Sequence, residues 1–207
     1  MPNGKSTLFA SLIAFLLFFS LNASAQNFFN TAATEGFASA SIMVGGGIAA
    51  LNSNLGDGFD SFFVRGSVGI GVKTDIFGSL DWNRGREGLN PHFFSWTAGL
   101  KHDFIKTGLV DIGSLVRLRN NRTDYPRFES SLLDFAGIIS VQFGPVHPYY
   151  AIVFSHPFGV KLDILESGFQ TSSVIGAEVP LGQIPRIFGE VSLGDRRSAG
   201  VALRLAF

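Results

Sequence analysis

The chain of 207 residues contains no cysteine. Disulfide bonds, thiolate metal sites and a cysteine nucleophile are therefore excluded, and so is a lipid anchor that needs a cysteine at its cleavage point. Charge is also scarce, because Asp, Glu, Lys and Arg make up 15% of the residues, against about 25% in a typical soluble domain. The 16 basic and 16 acidic residues balance to zero formal charge, so nothing indicates nucleic acid as a partner.

Long apolar runs are missing except near the N-terminus, where residues 8–21 are predominantly apolar. Lys5 precedes this stretch, and Asn22-Ala23-Ser24-Ala25 follows it with small residues in the A-x-A pattern. A retained membrane helix would need roughly 20 apolar residues, which is more than this stretch provides. The pattern predicts a signal peptide over 1–25 and a leader over 26–37. Export argues against an enzyme driven by ATP or a nicotinamide cofactor.

What the chain does contain is phenylalanine and glycine, at 22 and 25 residues, in short alternating segments. The clearest segment is the last one, where Val201, Leu203, Leu205 and Phe207 alternate with small residues and Arg204. A period of two is typical of a β-strand whose two faces meet different surroundings. With 46% hydrophobic residues and no long buried segment, the composition favours an apolar outer surface that faces lipid.

Turn residues divide the chain after residue 37 into about ten strands. The predicted strands are 38–51, 60–73, 76–84, 92–104, 108–119, 130–143, 148–156, 170–181, 186–194 and 197–207. Short turns alternate with longer loops, which in outer-membrane barrels face the periplasm and the exterior respectively. Eight strands is the alternative, if the two weakest segments, 76–84 and 148–156, are loops.

Amphipathic strands of this kind form either a closed barrel in lipid or a two-sheet sandwich in water. A sheet in hydrocarbon must close, because its edge N–H and C=O groups would otherwise stay unpaired. The continuous apolar face, the export signal and aromatic residues near strand ends favour a transmembrane antiparallel up-and-down β-barrel over 38–207. The predicted aromatic girdle at the membrane interfaces comprises Phe63, Trp82, Phe94, Phe104, Phe143, Tyr150, Phe158 and Phe207.

The opposite face of the strands carries the charge, which places six basic and six acidic groups in one narrow lumen. Such groups must pair to offset their loss of hydration, and a barrel of this size is nearly filled by its own side chains. We therefore expect a salt-bridged plug, with a narrow water path past the inward Gly and Ser residues as the alternative. The predicted lumen charge network comprises Arg65, Lys73, Asp81, Lys101, Asp103, Asp111, Arg117, Arg119, Asp134, Glu178, Glu190 and Arg204.

Together these features resemble the small outer-membrane β-barrel family, the OmpA/OmpX-like or porin-family proteins. The final strand, Gly-Val-Ala-Leu-Arg-Leu-Ala-Phe over 200–207, is similar to the terminal signal that the barrel-assembly machinery reads in that family. The resemblance implies insertion into the bacterial outer membrane and contact with its lipids and lipopolysaccharide. It implies neither a substrate nor a cofactor.

Several patterns suggest chemistry but lack the context that the chemistry needs. Residues 45–50 match the dinucleotide pattern G-x-G-x-x-A, yet no helix follows them. Ser155 and His156, with Asp163 and Glu166, contain the groups of a hydrolytic triad, as do outer-membrane lipid A deacylases. Adjacent residues of a strand face opposite sides, however, so Ser155 and His156 are not expected to converge.

Other candidates are weaker still. Asp81, His102 and Asp103 resemble the carboxylate and histidine pairs of ten-stranded barrel proteases, but this chain is too short for such a barrel. The histidines show no metal-ligand spacing, and no cofactor is expected. A basic run can bind lipopolysaccharide phosphates or can form lumen salt bridges and a solvated loop. Its residues are Arg117, Arg119, Arg122 and Arg127.

Because no catalytic set converges, we expect a non-enzymatic outer-membrane barrel whose role is structural or depends on surface interactions through its loops. The alternatives from other functional classes are a narrow pore for small solutes and a lipid A-modifying hydrolase.

Overall fold

The computed structural model describes residues 31, 34, 36–50, 58–85, 92–123, 130–158, 169–194 and 197–207. The predicted signal peptide over 1–25 lies outside these residues, as does most of the leader. No helix in the described part of the chain is long and apolar enough to cross a membrane.

Ten antiparallel strands close into one barrel, in which each strand pairs with its sequence neighbours and the first pairs with the last. This arrangement confirms the ten-stranded barrel, and the eight-stranded alternative is wrong. Closure leaves no edge strand with unpaired backbone groups, as a sheet in hydrocarbon requires. The strands are β1 (Ala40–Ala50), β2 (Gly58–Gly69), β3 (Thr74–Gly85), β4 (His92–Lys106), β5 (Val110–Thr123), β6 (Ser130–Val141), β7 (His147–Phe158), β8 (Gln170–Pro180), β9 (Pro185–Gly194) and β10 (Arg197–Ala206).

The two segments with the weakest alternation are full strands. β3 has 12 residues and pairs along its length with β2 and β4. β7 also has 12 residues and pairs with β6 and β8. A tilted strand crosses the hydrocarbon core in about 9–11 residues, so both are long enough to span it.

The connections differ between the two ends of the barrel. One end, here named the turn end, carries the start of β1, the end of β10 and the connections 70–73, 107–109, 142–146 and 181–184. The opposite end, the loop end, carries the connections 51–57, 86–91, 124–129, 159–169 and 195–196. Short connections at one end and mostly longer ones at the other are typical of outer-membrane barrels, whose short turns face the periplasm.

Side chains alternate between the interior and the outer face of the barrel wall. In β3, Phe77 is 4% exposed whereas Leu80 is 70% exposed, and the rest of the strand follows the same alternation. The sequence signal of period two therefore separates an outer apolar surface from the lumen. The outer face carries apolar residues on strand after strand, among them Ile42, Val64, Val68, Ile76, Leu100, Val116, Ile139, Ile152, Ile175 and Val201. A continuous apolar surface of this extent fits contact with lipid.

The segment before β1 lies against the turn end. The Thr34 hydroxyl donates a hydrogen bond to the carbonyl of Val72 at 3.5 Å, and the Ala38 amide donates to the carbonyl of Gly69 at 3.1 Å. Gly69 is required here, because a Cβ at this position would overlap the carbonyl group of Gly36. The first strand therefore begins at Ala40, two residues after the predicted start.

Candidate functional site

Apolar and aromatic side chains fill the interior of the barrel. Each of them is at most 5% exposed and alternates along its strand with outward residues. We name this cluster the lumen core. Its members are Met43, Phe63, Phe77, Leu115, Ala136, Ile138, Tyr149, Ala151, Val153, Val174, Phe188 and Ala202. The lumen core packs the channel axis with side chains in the manner of a small barrel.

Three of the inward rings lie over a glycine on the neighbouring strand. The pairs, which are partners in the strand register, are Gly45–Phe63, Gly99–Phe77 and Gly176–Tyr149. A Cβ added at Gly176 would lie within 2.6 Å of three atoms of the Tyr149 side chain. Glycine in these strands therefore provides the space that a ring needs to lie flat against the barrel wall, and this accounts for part of the high phenylalanine and glycine content.

Asp134 is the centre of the first lumen charge cluster and is fully buried. The Nε atoms of Arg117 and Arg119 each donate to Asp134 Oδ2 at 2.6 Å. Arg119 Nη2 donates to Asp134 Oδ1 at 2.8 Å, which makes that pair bidentate, and the Ser155 side chain adds a further hydrogen bond. One buried carboxylate therefore holds two guanidinium groups.

Glu178 organises a second cluster in the same way. Arg204 Nη2 donates to Glu178 Oε1 at 2.9 Å, and Arg186 pairs with the same oxygen. The Arg204 guanidinium lies 5.0 Å from the centroid of the Phe188 ring, within range of a cation–π interaction. This cluster therefore joins directly onto the lumen core.

Arg65 and Glu190 each contact rings of the lumen core. The Arg65 guanidinium carbon is 5.6 Å from the Phe63 centroid and 5.3 Å from the Phe77 centroid. The Tyr149 hydroxyl donates to Glu190 Oε2 at 2.6 Å. Charged groups and rings together thus form the filled section of the barrel.

Nearer the turn end, Lys101 and Asp75 form an ion pair of 3.2 Å between side chains at most 6% exposed. Asp103 is fully buried, and neither of its carboxylate oxygens has a hydrogen-bond partner in the structure. Asp111 has one buried oxygen in the same state. Asp75 is not among the predicted lumen residues, because the predicted strand begins at residue 76, whereas β3 begins at Thr74.

Two predicted placements are wrong. Lys73 was placed in the lumen, but β2 ends at Gly69 and Lys73 lies exposed in the turn 70–73, where its Nζ donates to the carbonyl of Phe104 at 3.3 Å. Phe63 was placed in the girdle, but it is 1% exposed and belongs to the lumen core. Its closeness to a strand end suggested the girdle, whereas alternation with Phe62, which is 51% exposed, directs Phe63 inward.

The other predicted lumen residues face the interior. They are Arg65, Asp81, Lys101, Asp103, Asp111, Arg117, Arg119, Asp134, Glu178, Glu190 and Arg204. Of the predicted girdle, the exposed residues on the outer face or turns are Trp82, Phe94, Phe104, Phe143, Tyr150 and Phe207. The Phe158 side chain lies outside the described part.

The catalytic candidates do not come together. Ser155 is buried in the lumen beside Asp134, whereas the His156 ring packs against Phe169 with centroids 4.8 Å apart. Asp163 and Glu166 lie outside the described residues. Likewise Asp81 faces the lumen while His102 is exposed and hydrogen-bonds Thr74. Within the described ranges, no three His, Asp or Glu side chains are arranged to hold a metal ion.

Two residues of the basic run lie in the barrel interior. Arg117 and Arg119 are buried in the lumen with Asp134 and are directed away from the lipid. The side chains of Arg122 and Arg127 lie outside the described part of the chain. The interpretation of this run as a lipopolysaccharide site is therefore wrong for its first two members. Residues 45–50, the match to a dinucleotide pattern, lie within strand β1.

These observations define the class of the protein: a closed, ten-stranded antiparallel β-barrel of the transmembrane type. No family model matches the chain, and no curated protein is similar to it in sequence. Among solved structures it is similar to the beta domain of the Bordetella autotransporter BrkA, with a TM-score of 0.50 and 12% identity over 83% of this chain and 100% of that one. At this identity the likeness shows the fold alone.

Two other outer-membrane barrels give lower scores. The KdgM porin has a TM-score of 0.44 and 10% identity over 82% of this chain and 99% of its own. The translocator domain of the autotransporter NalP from Neisseria meningitidis has a TM-score of 0.45 and 8% identity, over 98% of this chain and 95% of its own. The finer resemblance to OmpA/OmpX-like proteins stays a prediction.

Proposed function

We propose that this chain is an integral outer-membrane β-barrel protein with a plugged lumen and a non-enzymatic role, either structural or in surface interactions through its loops. The observation that carries the proposal is the lumen core. Rings and apolar side chains at most 5% exposed occupy the section that a channel would leave open. The proposal includes export to the bacterial outer membrane after cleavage of the signal peptide.

The outer surface supports the proposed location. Exposed apolar side chains cover the barrel wall between two groups of aromatic residues. Trp82 and Phe94 lie toward the loop end, and Phe104, Phe143 and Phe207 lie toward the turn end. Aromatic residues at both edges of an apolar band are typical of barrels embedded in a bilayer. Recovery in the outer-membrane fraction and heat-modifiable migration on a gel are the expected results, and a chain found in the soluble periplasm would contradict them.

Reconstitution in a planar bilayer tests the plugged lumen. The wild-type barrel is expected to insert without steady conductance steps, because the lumen core places buried rings and apolar side chains in the interior. Steady steps in wild-type protein of confirmed heat modifiability would instead support the alternative of a narrow pore. The alternative of a lipid A-modifying hydrolase has no convergent residues to support it in the described part of the chain, and we expect mass spectrometry of lipid A from cells with and without the protein to show identical profiles.

The C-terminus supports a proposed partner, the barrel-assembly machinery. Phe207 is 71% exposed, and its backbone pairs with Ala40 through N–O distances of 2.8 and 3.2 Å, which joins the last strand to the first. An aromatic side chain that projects from the closing strand is available for recognition before closure. We expect Phe207→Ala to lower the amount of heat-modifiable barrel in the outer membrane several-fold. Phe143→Ala is the matched control, since Phe143 is 77% exposed in a turn at the same end, and an equal loss in both variants would contradict this role.

A further inference from the structure

A cationic rim lies on the outer face of the barrel where β3 and β4 meet the loop end. Arg84 and His92 are partners in the strand register, and both side chains are exposed. Arg84 follows Trp82 by two positions and therefore shares its lipid-facing side of the wall. The exposed guanidinium group of Arg84 has the geometry to donate two parallel hydrogen bonds to an anion.

An aromatic shelf lies directly below this rim. Phe62, Trp82 and Phe94 are register partners across β2, β3 and β4 and are 51%, 47% and 67% exposed. The His92 ring stacks on Trp82 with centroids 5.8 Å apart and an angle of 22° between the ring planes. The shelf therefore fixes the position of one of the two rim groups.

Below the shelf the outer face is indented by a groove of about 430 Å³. Gly66 and Gly78, which are register partners, form part of its floor, and Val64, Leu80 and Trp96 are among the residues that line it. A rim, a shelf and a groove thus follow one another from the loop end toward the middle of the barrel wall. A ligand with a phosphorylated head group and an attached apolar chain would contact these three surfaces in this order.

A carboxylate also belongs to the rim. Asp60 is the register partner of Arg84 on the other side, on β2, and it is exposed and engaged in an interaction of its own. It does not neutralise Arg84 through an ion pair. Its negative charge nevertheless opposes an anion, so its removal is part of the test.

We propose that this face binds lipopolysaccharide, with a lipid A phosphate on Arg84 and His92 and an acyl chain over the shelf and in the groove. Arginine binds phosphate through two parallel hydrogen bonds, and aromatic residues favour the level of the membrane where head groups meet acyl chains. The proposal rests on the proposed outer-membrane function, because the loop end faces the outer, lipopolysaccharide-bearing leaflet only in that orientation.

The two tryptophans of the chain are Trp82 and Trp96, which lie in the shelf and in the groove. Tryptophan emission of the folded barrel in detergent micelles therefore reports on this face alone. The experiment titrates the wild-type protein with lipopolysaccharide, with dephosphorylated lipopolysaccharide and with phosphatidylglycerol, and measures the half-saturating concentration. Lipopolysaccharide is expected to change the emission at a concentration at least about tenfold lower than dephosphorylated lipopolysaccharide, the effect of a lost hydrogen bond to a charged group. Phosphatidylglycerol is also expected to bind more weakly than lipopolysaccharide, because its phosphodiester carries one negative charge whereas a phosphomonoester carries between one and two.

Variants assign the effect to the rim. Arg84→Ala is expected to raise the half-saturating concentration about tenfold or more, Arg84→Lys to raise it less, and Asp60→Asn to lower it. The matched control is Lys106→Ala, which removes an exposed cation from the turn end of the same strand that carries His92. Unchanged binding in Arg84→Ala, an equal loss in Lys106→Ala, or equal binding of phosphatidylglycerol would each overturn the proposal. Cell fractionation and bilayer conductance test the proposed function separately, so its failure is distinguishable from the failure of this site.

Discussion

At the scale of single residues, the packing of aromatic rings inside the barrel depends on glycine. Phe63, Phe77 and Tyr149 each lie over a glycine of the neighbouring strand, and a methyl group there would occupy space that the ring fills. Glycine usually weakens a strand. Here that cost is offset by the ring, which covers the exposed backbone and packs the lumen.

Gly176→Ala tests this pairing. Its Cβ would lie within 2.6 Å of the Tyr149 ring, and the shift of that ring would also strain the Tyr149–Glu190 hydrogen bond. We expect the free energy of unfolding to fall by about 1–3 kcal/mol, the usual cost of overpacking a core, as measured by urea denaturation in micelles. Gly137→Ala is the matched control, since a Cβ at Gly137 meets nothing within 4 Å. Equal stability of the two variants would contradict the pairing.

Asp134 supports a second prediction at this scale. Asp134→Asn keeps the shape of the side chain but leaves Arg117 and Arg119 buried without their carboxylate. Removing one partner of a buried ion pair costs about 3–5 kcal/mol, because the remaining charge stays desolvated. The same denaturation experiment should show this loss, while Asp60→Asn, which changes an exposed carboxylate, should leave the stability unchanged. A stable Asp134→Asn variant would indicate that water reaches the two arginines.

Phe63 and Lys73, the two residues that sequence reasoning misplaced, were misplaced for different physical reasons. Phenylalanine is apolar enough for lipid and large enough to fill a small lumen, so its type alone does not assign a face. Alternation does assign it, as Phe62 and Phe63 show. Lys73 was misplaced because the predicted strand was extended past Gly69. The strand ends there, so side chains beyond it no longer alternate between the lumen and the outer face.

At the scale of elements, the period-two pattern was sufficient to predict all ten strands, because each strand separates lipid from a packed interior along its length. The strand ends were less accurate, as with β5, which extends to Thr123 where the sequence analysis stopped at 119. Asn120 and Asn121 read as turn residues, but they pair with Ser131 and Ser130 on β6. Cross-strand pairing continues after the apolar alternation has ended.

A charge placed on the lipid-facing side of a strand tests the proposed membrane depth. Leu80 is 70% exposed in the middle of β3, and Leu80→Arg would place a cation in the hydrocarbon region. We expect the folded barrel to lose about 2–4 kcal/mol in lipid vesicles, the cost of arginine near the bilayer midplane. Phe143→Arg is the control, because Phe143 is 77% exposed but lies in a turn at the interface. Equal effects would contradict the assigned depth.

At the scale of the whole molecule, the composition balances basic against acidic residues. Inside the barrel the same balance is seen locally, because basic and acidic side chains form clusters. Arg117 and Arg119 share Asp134, Arg186 and Arg204 share Glu178, and Lys101 pairs with Asp75. The alternation of inward and outward positions along each strand was sufficient to predict that most of these groups face the lumen. It could not predict which groups pair, because pairing depends on the stagger between strands that sets their relative heights in the closed barrel.

The last prediction tests the proposed plug with the double variant Tyr149→Ala, Phe188→Ala. Tyr149 and Phe188 are 3% and 0% exposed on β7 and β9, and their removal leaves a gap lined by Glu178, Glu190 and Arg204. Polar walls let water enter such a gap, so we expect bilayer conductance steps, which we do not expect for the wild-type barrel. Each truncation costs about 3–5 kcal/mol, and heat-modifiable migration must therefore confirm folding before the recording. The control is Phe94→Ala, Phe143→Ala, which removes two exposed outer rings and should stay silent. A folded but silent lumen variant would show that the aromatic side chains are not what closes the barrel, and the charge clusters would then be the next residues to remove.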